Sequence, residues 1–104
     1  MNKINLSVNE LEILKEIILS PLRDFSVEIY FFGSRATGKN HEFSDVDILI
    51  KTNDDLTKMR KKISEIKESL EESNFPYKVD LVFEQDLVES YKEEILTQAI
   101  KFLP

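Results

Sequence analysis

The sequence predicts an α/β (α+β) chain: a small mixed three-stranded sheet packed with about four helices, in the order helix, strand, helical turn, strand, helix, strand, helix. Three observations carry this reading. Stretches rich in β-branched and aromatic residues lie at 27–32, 45–51 and 77–83, with the composition of half-buried strands. Runs with apolar residues at helical spacing lie before, between and after them. The first two strands are joined by a short loop, which suits antiparallel neighbours, whereas the second and third are separated by a full helix, which suits a parallel crossover.

The first helix opens at Ser7-Val8-Asn9-Glu10, a capping box in which the serine hydroxyl and the glutamate side chain satisfy each other's backbone amides. Leu11, Leu14, Ile17 and Ile18 supply its apolar face. Pro21 closes it, because the residue before a proline is pushed out of helical geometry. The strand at 27–32 then runs into Gly33-Ser34 and a short polar loop. In the strand at 45–51, Val46, Ile48 and Ile50 are expected to face the core, and Asp47 and Leu49 the opposite side. Residues 54–73 contain no helix breaker, and Leu56, Met59, Ile63, Ile66 and Leu70 form an amphipathic stripe suited to packing on a sheet. Asn74 and Pro76 end that helix. After the strand at 77–83, residues 86–102 read as a last helix with Leu87, Val88, Tyr91, Ile95, Ala99 and Ile100 as its apolar face.

Residues 1–104 read as a single domain, long enough for one modest core. Hydrophobic residues make up 41% and charged residues 33% of the chain, the balance of a soluble globular protein. No stretch reaches transmembrane length and the start lacks the apolar core of a signal peptide, so no membrane is expected and the cytoplasm is the expected compartment. The chain has no cysteine, which excludes disulfides and thiolate metal sites. The net charge of −6 opposes an extended nucleic-acid surface. It does not oppose a mononucleotide that arrives with a divalent cation.

The chemistry concentrates in residues 32–50. Asp45 and Asp47 alternate with Val46, so both carboxylates should leave the same face at the start of the second strand, roughly 6–7 Å apart at Cα. Two same-facing carboxylates build a poor core but a good seat for hard cations, which prefer oxygen ligands. Gly33 lets the backbone approach a ligand closely, and Ser34 adds a hydroxyl and an amide. Phosphate-holding and metal-holding groups a dozen residues apart imply metal-assisted attack on a nucleoside triphosphate. Arg35 and Lys39 follow the Gly-Ser turn at positions suited to triphosphate oxygens, although both also read as ordinary surface charge. Ser44 precedes the carboxylate pair and joins Gly33, Ser34 and Arg35 in the expected nucleotide-binding set. His41, the one histidine, reads as a solvated loop residue.

Gly33-Ser34, then Asp45-x-Asp47 on the next strand, then Asp80 within Tyr77-Lys78-Val79-Asp80-Leu81-Val82-Phe83 resemble the nucleotidyltransferase superfamily that includes DNA polymerase beta. The short chain and the form Gly33-Ser34-Arg35-Ala36-x-Gly38 resemble its minimal nucleotidyltransferase (MNT) members most. Thr37 stands where many relatives have a second arginine. The resemblance implies catalytic, metal-holding roles for Asp45, Asp47 and Asp80, with two Mg²⁺ ions and ATP as the nucleotide. It implies transfer of a nucleoside monophosphate to a hydroxyl, with Asp80 a candidate proton acceptor. MNT proteins are commonly paired with an all-helical HEPN partner, often a toxin, for which the MNT protein is the antitoxin and can attach AMP to it. That role is the expectation here. Two other classes stay open: transfer to a small hydroxylated compound such as an aminoglycoside, and a non-catalytic module that binds nucleotide and partner. Tyr91, Ile95, Phe102 and Leu103 are expected to exceed what so small a sheet can cover, leaving a surface for a partner or for self-association.

Overall fold

The computed structural model describes residues 4–41 and 44–103, the side chain of Leu103 excepted. It contains helices α1 (Val8–Leu14), α2 (Ser34–Thr37), α3 (Leu56–Glu72) and α4 (Glu89–Gln98) and strands β1 (Val27–Phe32), β2 (Val46–Thr52), β3 (Val79–Phe83) and β4 (Ile100–Leu103). A π-helical turn, Lys15–Leu19, continues α1, and a 3-10 turn, Glu84–Asp86, follows β3. No described helix is long and apolar enough to cross a membrane. Contacts group the chain into two compact units: residues 4–5 with Glu28–Thr52 and the segment from Tyr77 onward, and Leu6–Val27 with Asn53–Pro76.

The second unit is helical. The capping box forms as the sequence predicts: the Ser7 amide donates to Glu10 Oε1 at 2.9 Å and the Glu10 amide to Ser7 Oγ at 3.1 Å. These two bonds satisfy amides that the first helical turn leaves without partners. Asp55 caps α3 by accepting from the Thr57 amide at 2.8 Å, and Asp54 accepts from the Ser26 amide at 2.6 Å. The apolar stripe of α3 is buried at Met59, Ile63, Ile66 and Leu70, as its spacing of three and four predicts.

The first unit holds the sheet, in the order β3-β2-β1-β4. β2 and β3 are parallel, with Val46 opposite Val79, Asp47 opposite Asp80 and Ile50 opposite Phe83. The parallel crossover read from the sequence is therefore present, and β1 and β2 are neighbours. Val46, Ile48 and Ile50 are fully buried, as expected. So is Leu49 on the opposite face, so β2 is apolar on both sides except at Asp47, Lys51 and Thr52.

The sheet has four strands rather than three. The segment 86–102, read as one helix, divides: α4 ends at Gln98, and Ile100–Leu103 pairs antiparallel with β1. The apolar residues of this segment fit helical spacing as well as strand alternation, and local sequence does not decide between them. The free edge of β1 does, because pairing satisfies a row of backbone groups that a longer helix would leave open. Phe102, expected on a surface patch, is instead buried, its ring centroid 4.7 Å from that of Phe31. The rest of the expected apolar face is not core: α4 has no fully buried residue, and Val88 and Tyr91 are 62% and 60% exposed. The Leu103 side chain lies outside the described residues. Phe102→Ala is expected to destabilise the protein by ~3 kcal/mol, since it removes a buried aromatic ring and leaves a cavity against Phe31. Urea unfolding measures this, and a change under ~1 kcal/mol would mean that β4 is not part of the stable sheet.

Candidate active site

β1 ends at Phe32, and Gly33 turns the chain with φ 73° and ψ −153°. Only glycine adopts that combination readily. The conformation brings the Gly33 backbone hard against Asp47: a Cβ placed on Gly33 would collide with Asp47 Oδ2 and lie 3.2 Å from Asp47 Cγ. The Gly-Ser turn and the second carboxylate of the Asp-x-Asp pair, fourteen positions apart in sequence, are thus in direct contact. Ser34–Thr37 forms the single turn α2, held by bonds from the Ala36 and Thr37 amides to the Gly33 carbonyl, and Gly38 ends it in the left-handed conformation.

Asp45 lies one residue before β2 and is exposed; Val46 is fully buried; Asp47 is half-buried. Asp80 stands directly opposite Asp47 in the parallel pair, on the same face, with its side chain 43% exposed. Facing carboxylates repel. The Asp47 carboxyl is pushed up to about 6, first by loss of hydration, then by the charges of Asp80 and Asp45 and a hydrogen bond with Asp80, with Lys78 opposing. Lys78, which the sequence reading passed over, places Nζ 3.9 Å from Asp80 Oδ1 and remains largely exposed. Its only sequence signal is its position two residues before Asp80, on the same face of an alternating strand. Among the described residues no three acidic, imidazole or thiol groups converge closely enough to hold a metal ion. The structure pairs Asp47 with Asp80 and leaves Asp45 beside them, turned to solvent.

A family model described as a nucleotidyltransferase domain matches residues 11–103 of this chain. The chain belongs to the nucleotidyltransferase family. It is 31% identical, over 93 residues covering 89% of this chain and 78% of the other, to the Haemophilus influenzae protein named "Probable protein adenylyltransferase MntA". A structure named as a minimal nucleotidyltransferase is similar over 91% of this chain and 95% of that one, with 28% identity and a TM-score of 0.63. A toxin–antitoxin crystallised with AMP-PNP is similar over 86% of this chain and 72% of the matched chain, with 25% identity and a TM-score of 0.55. The protein is therefore a nucleotidyltransferase, an enzyme by class.

In this nucleotidyltransferase the three carboxylates do not form a closed metal site, but their donor chemistry is that of a divalent cation. Asp45, Asp47 and Asp80 offer only carboxylate oxygens, the preference of Mg²⁺. The Asp47 carboxyl is raised first by lost hydration and then by the charges of Asp80 and Asp45, and a cation would relieve that repulsion. The missing side chain at Gly33 is what lets the turn lie directly against the Asp47 carboxylate.

Two residues of the expected nucleotide-binding set make hydrogen bonds within the protein. Arg35 is fully buried, and its guanidinium donates to the carbonyls of Ile4, Asn5 and Ser44. A guanidinium held by backbone carbonyls at zero exposure does not reach a triphosphate outside. Its expected role as a surface phosphate ligand is corrected to an internal one. The Ser44 hydroxyl accepts from the His41 amide at 2.9 Å, and its carbonyl accepts from Arg35, so Ser44 is bound into the loop. Lys39 and His41 are exposed.

Proposed function

We propose that the protein transfers AMP from ATP to a hydroxyl of a helical, HEPN-type partner protein, as the antitoxin of a toxin–antitoxin pair. The single observation that carries this is the contact of Gly33 with Asp47 and of Asp47 with Asp80 in one place, in a chain similar to a protein adenylyltransferase and to a toxin–antitoxin. Residues 1–104 act as one minimal domain in this reading, and the cytoplasm is its place of work.

Asp45, Asp47 and Asp80 would hold Mg²⁺, two ions in all, which supplies positive charge to the triphosphate and lowers the pKa of the acceptor hydroxyl. The amides around Gly33 and Ser34, in the turn beside Asp47, would hold the β- and γ-phosphates. The acceptor oxygen forms a bond to the α-phosphorus as the bond to pyrophosphate breaks. Asp80, at the exposed side of the pair, takes the hydroxyl proton.

Mass spectrometry of the partner, incubated with this protein, ATP and Mg²⁺, is expected to show one or more added AMP units. Asp80→Asn is expected to lower that transfer by about 10³-fold while the protein stays folded and still binds nucleotide. If a small hydroxylated compound gains AMP while the partner does not, the small-molecule transferase replaces this reading. If neither gains mass while nucleotide and partner both bind, the chain is a binding module.

A further inference from the structure

We infer that Arg35 is a positioning residue that fixes the starts of both carboxylate-bearing strands, and that the enzyme needs its guanidinium rather than its charge. The inference rests on the proposed transfer reaction for its activity readout and on geometry alone for the rest.

The Arg35 side chain is completely buried. Nε and Nη2 both donate to the Ser44 carbonyl, at 3.1 and 2.7 Å. Nη1 donates to the carbonyls of Ile4 and Asn5, at 2.8 and 2.9 Å. The guanidinium carbon lies 4.8 Å from the centre of the Tyr77 ring. Each partner has a place in the site. Ser44 is the residue immediately before Asp45. Tyr77 lies three residues before Asp80, at the approach to β3. Asn5 holds φ at 61°, a left-handed conformation uncommon outside glycine, and its carbonyl is one that Arg35 ties down. Arg35 itself lies two residues after Gly33, within α2.

One planar group therefore touches the segment before Asp45 and the segment before Asp80, from the helical turn that follows Gly33. The start of β2 is also joined to the residue after Tyr77, by a bond from the Val46 amide to the Lys78 carbonyl at 2.8 Å. A loosened Ser44 carbonyl would free Asp45 first, since Asp45 has no strand of its own to hold it. Lysine cannot replace arginine here. Its ammonium has three donors on one atom, cannot span carbonyls on opposite sides of a planar fork, and loses the flat stack on Tyr77. The buried position and these carbonyl partners distinguish Arg35 from a phosphate ligand.

The test compares wild type, Arg35→Lys and Tyr77→Leu at a temperature where each is folded by circular dichroism. Arg35→Lys is expected to reduce the maximal rate of AMP transfer by about 10–100-fold, the usual scale for groups that orient metal ligands, with KM for ATP changed less than threefold. Amide hydrogen exchange at Val46 and its neighbours is expected to quicken, while exchange in α3 stays at the wild-type rate. Tyr77→Leu, which keeps the carbonyl bonds, is expected to fall between the two and supplies the same measurements should Arg35→Lys not fold. Unchanged transfer in a folded variant would overturn the inference. So would exchange that quickens equally in α3 and β2, which marks a purely global effect on stability. If wild type transfers nothing, the reaction reading has failed, and the local exchange at Val46 still decides whether Arg35 holds the start of β2.

Discussion

Asp47→Asn is expected to lower nucleotidyl transfer by about 10³-fold and, in the same protein, to raise the stability of the metal-free form at pH 7.5. The two effects have one cause. The Asp47 carboxyl is raised from 3.8 to about 6 by lost hydration and by the negative charges of Asp80 and Asp45. Between those two values the folded protein holds a proton that the unfolded chain has released. The folded state then binds more protons than the unfolded state, so stability falls as pH rises through this window and stays low above it. Asparagine carries no charge at any of these pH values, and the variant should lack this loss. For a half-exposed group, with solvent screening allowed for, the gain is ~1 kcal/mol, or roughly 4–8 °C in melting temperature for a domain of this size. Thermal melts of wild type and variant at pH 4 and pH 7.5, in chelator, measure it. The difference between the two proteins should open as pH rises. Millimolar Mg²⁺ with ATP should raise wild-type melting by mass action and leave the variant nearly unmoved. A variant that is less stable than wild type at pH 7.5 in chelator would show that Asp47 is not held in a repulsive cluster.

That trade-off explains why the site was legible in the sequence. A carboxylate on an otherwise buried strand costs stability unless something binds it, so Asp47 between Val46 and Ile48 stood out against its surroundings. Its partner Asp80 could be expected on a neighbouring strand within reach of Asp47, but its register could not, because register across a crossover is set by tertiary packing. The parallel pairing of Asp47 with Asp80 supplies that placement. Arg35 was misplaced for a related reason. A cation two residues after a Gly-Ser turn looks the same in sequence whether it faces phosphate or lies inside. Its acceptors are backbone carbonyls of Ile4, Asn5 and Ser44, which carry no sequence signature. The helices were read well where local rules govern them, as in the Ser7 capping box and the stripe from Met59 to Leu70. The misread strand, β4, forms against a strand some seventy residues earlier, where edge pairing and not local propensity decides the outcome.

Gly33→Ala is expected to show that the turn and the carboxylate form one unit. Two penalties add at that position. Alanine must adopt φ 73° and ψ −153°, which costs ~1–3 kcal/mol, and its Cβ collides with the Asp47 carboxylate. The backbone cannot move away freely, because the Gly33 carbonyl accepts from the amides of both Ala36 and Thr37. Relief must therefore come from Asp47, whose carboxylate has to swing away from Asp80 and from any phosphate seated at the turn. The single variant should lose transfer as completely as Asp47→Asn and be less stable than wild type by ~2–4 kcal/mol. The double variant Gly33→Ala/Asp47→Ala separates the two penalties. Removing the carboxylate removes the collision but not the backbone strain, so the double variant should recover ~1 kcal/mol or more relative to the sum of the single changes. Its transfer activity should remain absent, since neither the phosphate seat nor the carboxylate is restored. Urea unfolding of the four proteins gives the coupling energy directly. Additive effects, with a coupling below ~0.5 kcal/mol, would mean that Gly33 and Asp47 do not touch in solution, and the joint phosphate and metal site would lose its geometric basis.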